Sequence, residues 1–141
     1  MHCRIELDGW MMQEAGARRV RTLVFLEEQQ VPPDMEWDEF DAVSLHALAR
    51  AENGAVIGTG RLLPDGHIGR MAVLKAARGK GVGSVILQAL MQAARERGDA
   101  EVALHAQLQA EHFYARFGFV REGEEFMEAG IPHILMRHAL A

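Results

Sequence analysis

The chain has 141 residues, of which 49% are apolar and 25% charged, with a net charge of −5 and a single cysteine. That length fits one domain with a real core, which excludes global disorder and an internal disulfide framework. No apolar run approaches the ~20 residues of a membrane helix, and the acidic balance argues against a broad nucleic-acid surface. The segment Met1-His2-Cys3-Arg4-Ile5-Glu6 has no apolar stretch of the secretory kind. A reducing cytoplasm is therefore the expected location.

Residues 10–29 read as a helix, with Val20, Leu23, Val24 and Leu26 on one face and Arg18, Arg19 and Arg21 beside it. Pro32-Pro33 breaks it. From Leu26 to Val43 there are seven acids (Glu27, Glu28, Asp34, Glu36, Asp38, Glu39, Asp41) and no Lys or Arg. Such a run is expected to be a solvated loop, or else a surface for a cationic ligand.

Ser44–Ala51 and Ala55–Leu62 read as strands joined through Asn53-Gly54, a hairpin signal. Pro64-Asp65-Gly66 marks a second turn, and His67–Leu74 a third strand of the same antiparallel meander. Next comes a loop rich in glycine and positive charge, with Arg70, Lys75, Arg78 and Lys80 unopposed by any acid between residues 70 and 80. A helix follows over 82–97, its apolar face set by Val82, Val85, Ile86, Leu90 and Ala93, and Gly98 stops it. Ala100–Ala106 is a strand, Gln109–Phe117 a short helix, and Phe119–Glu122 and Ile131–Ala139 the last strands. Strand, helix and strand in succession imply one parallel pair with a right-handed crossover. The expected class is mixed α/β: one domain over 1–141, mostly antiparallel, flanked by helices.

Three glycines in five residues, Gly79, Gly81 and Gly83, are costly at a helix start unless the backbone must approach a ligand. Helix N-terminal amides attract anions, and phosphate is the usual guest. The spacing fits neither a P-loop nor the Gly-x-Gly-x-x-Gly dinucleotide fingerprint.

The run Arg78-Gly79-Lys80-Gly81-Val82-Gly83 resembles the Arg/Gln-x-x-Gly-x-Gly/Ala motif of the GCN5-related N-acetyltransferases (GNAT). Phe113-Tyr114-Ala115-Arg116-Phe117-Gly118-Phe119 is similar to that family's Phe-Tyr-x-x-x-Gly-Phe signature. Val24–Pro32, Leu104-His105-Ala106-Gln107 and Glu128–His133 resemble segments of its ElaA-like subgroup. The resemblance implies a fold in which the parallel strand pair forms an acyl-CoA cleft, with acetyl-CoA as donor. Met71, Ala72 and Val73 would hold the pantetheine arm, and Arg78, Gly79, Lys80, Gly81, Val82, Gly83 and Ser84 the pyrophosphate. Tyr114, the single tyrosine, would protonate the leaving thiolate.

A neutral amine nucleophile calls for a base. The strand 67–73 offers no carboxylate, so the candidates are His105, His67, His133, or water relayed to Glu28, while an amine of low pKa would need no base. Glu28, Glu128 and His133 are acceptor-side candidates, with Arg61 pairing with one of them or with an acceptor carboxylate. Trp10, at the start of the first helix, and Trp37, inside the acidic run, are expected either to cap the core or to line the acceptor pocket. Histidine spacing matches no zinc pattern, so no metal is expected. The expected function is acetyl transfer to a primary amine of a small molecule or peptide, by direct attack in a ternary complex. The rival is an acyl-CoA sensor or interaction domain without catalysis. A monomer or homodimer is expected, without nucleic acid or membrane as partner.

Overall fold

A computed structural model describes residues 2–140. Four strands form the first sheet: β1 (Cys3–Asp8), β2 (Leu45–Ala51), β3 (Val56–Leu62) and β4 (Ile68–Val73), antiparallel in that order. Three more form the second: β5 (Glu101–Gln107), β6 (Val120–Glu128) and β7 (Ile131–Ala139), with β7 central. The two sheets meet at one parallel bridge, His67 to Ala103, where the Ala103 N–H donates to the Gly66 carbonyl at 3.2 Å. The parallel pair is thus confined to the start of β4, and the strands then part.

The cause of the parting lies in β4. Thr59 faces Ala72 and Arg61 faces Gly69, so Arg70 and Met71 together oppose Gly60. This two-against-one count is a β-bulge, which bends its strand. Arg70 has φ +50°, a left-handed value that costs on the order of 1–3 kcal/mol for a non-glycine residue.

Helix α3 (Val82–Arg97) covers the first sheet and crosses to β5. It buries Val82, Ile86, Leu87, Leu90, Met91 and Ala94, while Val85 is exposed, so the apolar face lies one position from the expected one. Gly58 and Gly60 let it sit close to β3. A Cβ on Gly58 would meet Ile86 at 2.8 Å, and one on Gly60 would meet Ile86 and Leu90 at 3.0 Å.

Helix α1 (Trp10–Arg21) packs on the opposite face through Ala17 and Val20. It does not continue regularly to residue 29. Residues Thr22–Glu28 widen into a π-helix, where the Gln29 N–H reaches back five residues to the Val24 carbonyl. Single π turns of this kind gather at functional sites. Here the turn buries Phe25 and leaves Leu23 partly exposed.

The acidic run is only in part a solvated loop: Glu27, Glu28, Asp34 and Glu39 are exposed. It folds into α2 (Pro33–Glu36) and a 3₁₀ turn over Glu39–Val43, and Glu36 and Asp41 are buried. Arg21, 1% exposed, donates to Glu36 at 2.7 Å and Asp41 at 2.8 Å. Arg61 donates to Asp38 at 2.8 Å and Asp41 at 2.9 Å. Arg70 closes the ring on Asp38 and on the Glu36 carbonyl. Buried charges persist only when paired, and three arginines here meet three carboxylates. Trp10 and Trp37 sandwich Arg18 and Arg21 as cation–π partners, and Trp10 also packs on the His46 ring.

Candidate active site

Two clefts open where the sheets diverge. The smaller, about 480 Å³, lies at the start of α3 and is lined by Val73, Ala77, Arg78, Gly79, Gly81, Val82, Gly83, Ser84, Phe113 and Arg116. Gly79 and Gly81 have φ of +76° and +83°, and a Cβ on either would meet no protein atom within 4 Å. The space before them is open to a ligand, and no side chain caps α3. The first amides of a 16-residue helix therefore face this cleft without a partner from the chain. That donor set suits the pyrophosphate of coenzyme A.

Four residues here differ from the sequence expectation. Arg78 is not a free cation: Glu28 takes it in a two-pronged ion pair at 2.6 and 2.7 Å, and its Nε donates to the Val73 carbonyl at 2.9 Å. Glu28, expected on the acceptor side, is thus tied to the glycine loop and does not line the larger cleft. Lys80 is exposed and lines neither cleft. Arg116 lines the smaller one and was missed. It lies inside the Phe-Tyr-x-x-x-Gly-Phe segment, and only its spacing from Phe113 and Tyr114 on a short helix could have signalled it.

The exposed edge of β4 leads from this cleft to the next. The Leu74 N–H donates to the Ile57 carbonyl at 2.9 Å, so the Gly58/Val73 pair is of the non-hydrogen-bonded type. Val73 consequently turns its N–H and C=O away from β3. Ala72 is buried, while Met71 lines the larger cleft.

The larger cleft, about 560 Å³, collects side chains from both sheets and from the π-helix. Tyr114, on α4 (Glu111–Ala115), places its hydroxyl 3.9 Å from Met71 Sδ. Burial pushes its pKa up to about 12, so the phenol stays protonated near neutrality. His105, on β5, shares a 2.9 Å hydrogen bond between Nδ1 and Glu128 Oε1. That bond raises the His105 pKa and lowers that of Glu128. Nδ1–H donating to the carboxylate leaves Nε2 to take a proton.

Glu128 is delivered by the β6–β7 hairpin. Ala129 and Gly130 form its two-residue loop, with φ of +53° and +76°, as a type I′ turn requires. His133 sits behind, 6% exposed, with Nδ1 on the Ile131 carbonyl at 2.7 Å and Nε2 3.8 Å from Glu128. His67 packs edge-on against His105 at 5.9 Å, its Nδ1 3.2 Å from Asp65. Arg61 lines the cleft wall but pairs with Asp38 and Asp41, not with Glu28, Glu128 or His133. Sequence reading missed Arg70, Gln29 and Gln107 in this wall; Gln107 donates to Gln29 at 3.0 Å, joining β5 to the end of the π-helix. Among the described residues, no group of three or more His, Cys, Asp or Glu side chains could hold a metal ion. No helix among them is long and apolar enough to cross a membrane.

Residues 16–140 match the sequence model of the Acetyltransferase (GNAT) domain. A Bacillus subtilis relative named "Uncharacterized N-acetyltransferase YjcF" is 40% identical, over 83% of this chain and 86% of its own. An acyl-CoA N-acyltransferase from Pseudomonas aeruginosa superposes with a TM-score of 0.87 at 32% identity, covering 98% of this chain and 100% of the other. Escherichia coli ElaA superposes with a TM-score of 0.84 at 28% identity, covering 97% and 99%.

Proposed function

The chain belongs to the GNAT acetyltransferase family and is an acyltransferase; from that premise we propose that it transfers the acetyl group of acetyl-CoA to a primary amine of a small molecule or peptide. The observation that carries this reading is the joining of two sites along β4 and α4. An open amide cradle lies at one end, and a protonated phenol and a histidine hydrogen-bonded to a carboxylate lie at the other.

When bound, acetyl-CoA supplies a thioester already activated toward nitrogen nucleophiles. The cradle from Gly79 to Ser84 holds its phosphates, with Arg116 as the nearby cation. Val73 N–H, turned from β3, is free to donate to the pantetheine arm or the acyl carbonyl. His105 Nε2 takes the proton that the acceptor's ammonium must lose before nitrogen can attack. Glu128 orients the imidazole and stabilises its charged form. Attack forms the C–N bond and breaks the C–S bond, and Tyr114 O–H protonates the departing sulfur. The second proton, shed by the acylated nitrogen, passes through water to the tyrosinate, and the imidazolium releases the first to solvent. Among the described residues no cysteine lies in either cleft, and the serine in the smaller one, Ser84, is part of the amide cradle. This supports direct attack over a covalent acyl-enzyme.

Initial rates of coenzyme A release, with donor and amine both varied, test the reading. Direct transfer gives intersecting double-reciprocal lines. Parallel lines would indicate a covalent intermediate, and release indifferent to amine would indicate hydrolysis.

A further inference from the structure

Among the described residues two arginines of the buried ionic ring keep a nitrogen without a partner, but Arg61 Nε is buried, whereas the free nitrogen of Arg70 is not. Arg70 Nε donates to the Glu36 carbonyl at 3.2 Å. Its Nη2 donates to the Met35 and Glu36 carbonyls and to Asp38, at 3.0 to 3.3 Å. Nη1 has no protein partner among the described residues, and it is not among the buried side-chain atoms left without one. The side chain is 23% exposed, in the wall of the larger cleft. The group is therefore immobilised on one edge and open on the other.

The chain strains itself to place this guanidinium. Arg70 adopts φ +50° at the bulge, where glycine would cost nothing. Strain of this sort persists where the surrounding structure over-determines it, commonly at ligand sites. Facing Arg70 in the same cleft is Glu128, whose carboxyl feels the Arg70 charge and holds His105. The cleft thus offers a fixed cationic donor on the β4 side and a carboxylate–imidazole pair on the β5 side.

We propose that Arg70 Nη1 receives a carboxylate carried by the acceptor itself, so that the acceptor class is amino acids and related amines bearing a carboxylate. The carboxylate docks on Arg70 while the amine end lies toward His105. A carboxylate on a preorganised guanidinium gains a charge-assisted hydrogen bond, and a carboxamide in its place offers the same shape without the charge. The assignment rests on the amine-transfer reading above.

The test uses the wild-type chain with acetyl-CoA and a series of α-, β- and γ-amino acids, each beside its own carboxamide, with simple diamines as cationic controls. The best amino acid is expected to exceed its carboxamide in kcat/KM by about tenfold or more, the value of one hydrogen bond to a charged group. Arg70→Lys, checked for folding by its melting temperature, is expected to shrink that ratio, because a lysine cannot reproduce the held fork. Equal or better use of the carboxamides, or preference for the diamines, overturns the carboxylate assignment and leaves amine transfer standing. Absence of any acetylated amine overturns both. The wild-type ratios decide the matter even if the variant fails to fold.

Discussion

His105 and Glu128 share a 2.9 Å hydrogen bond across the cleft face of β5 and the end of β6. The bond depends on the tight Ala129-Gly130 turn, which brings a hairpin end back over the sheet. Its chemical consequence is a histidine whose proton is held more firmly than usual.

The pH profile follows from that hold. The Glu128 hydrogen bond raises the His105 pKa, so the free-base form that can accept a proton accumulates only above the ordinary histidine range. kcat/KM is expected to rise with pH with its midpoint above 6.5. Glu128→Gln removes the carboxylate and should move the midpoint down while lowering the plateau. A midpoint that stays put in Glu128→Gln would detach His105 from the proton transfer.

Tyr114→Phe deletes one hydroxyl on a ring that packs against Phe113 and Phe119. Binding of acetyl-CoA should be retained by calorimetry, and kcat should fall about 10²-fold, as for loss of a general acid. An unchanged kcat would make Tyr114 a packing residue.

At the cradle, Gly81→Glu places a carboxylate beside the amides and forces a non-glycine residue to φ +83°. Coenzyme A affinity should drop more than tenfold, with melting lowered by the backbone strain alone. Arg116→Ala should weaken the same affinity without strain. Full affinity in both variants would put the phosphates elsewhere.

The buried ionic ring makes a prediction about stability. Arg21→Ala would leave Glu36 and Asp41, both buried, each short of one cation. Removing one member of such a cluster costs about 3–5 kcal/mol, readable in chemical denaturation. A loss below about 1 kcal/mol would mean that water or Arg61 and Arg70 compensate.

Sequence legibility followed the local signals. The Asn53-Gly54 hairpin, the glycine-marked ends of α3 and the last strand, Ile131–Ala139, stand as expected because turn chemistry and periodicity are local. β1 was missed although Cys3, Ile5 and Leu7 alternate with Arg4, Glu6 and Asp8; the strand is short and half exposed, so the pattern is faint. β6 runs on to Glu128 through four glutamates because it is an exposed edge that needs few apolar residues. The acidic segment misled because its cations come from Arg21, Arg61 and Arg70, distant in the chain. The same distance hid the Glu28–Arg78 clamp, fifty positions apart. The pairing of His105 with Glu128 was equally beyond reach, though both residues stood among the candidates.

The most direct measurement is mass analysis of products from isotopically labelled acetyl-CoA with a panel of primary amines. The account predicts label on the amine nitrogen, matched mole for mole by released coenzyme A. Coenzyme A release with the label appearing only as acetate, or no release from a folded sample that binds the donor, would contradict it.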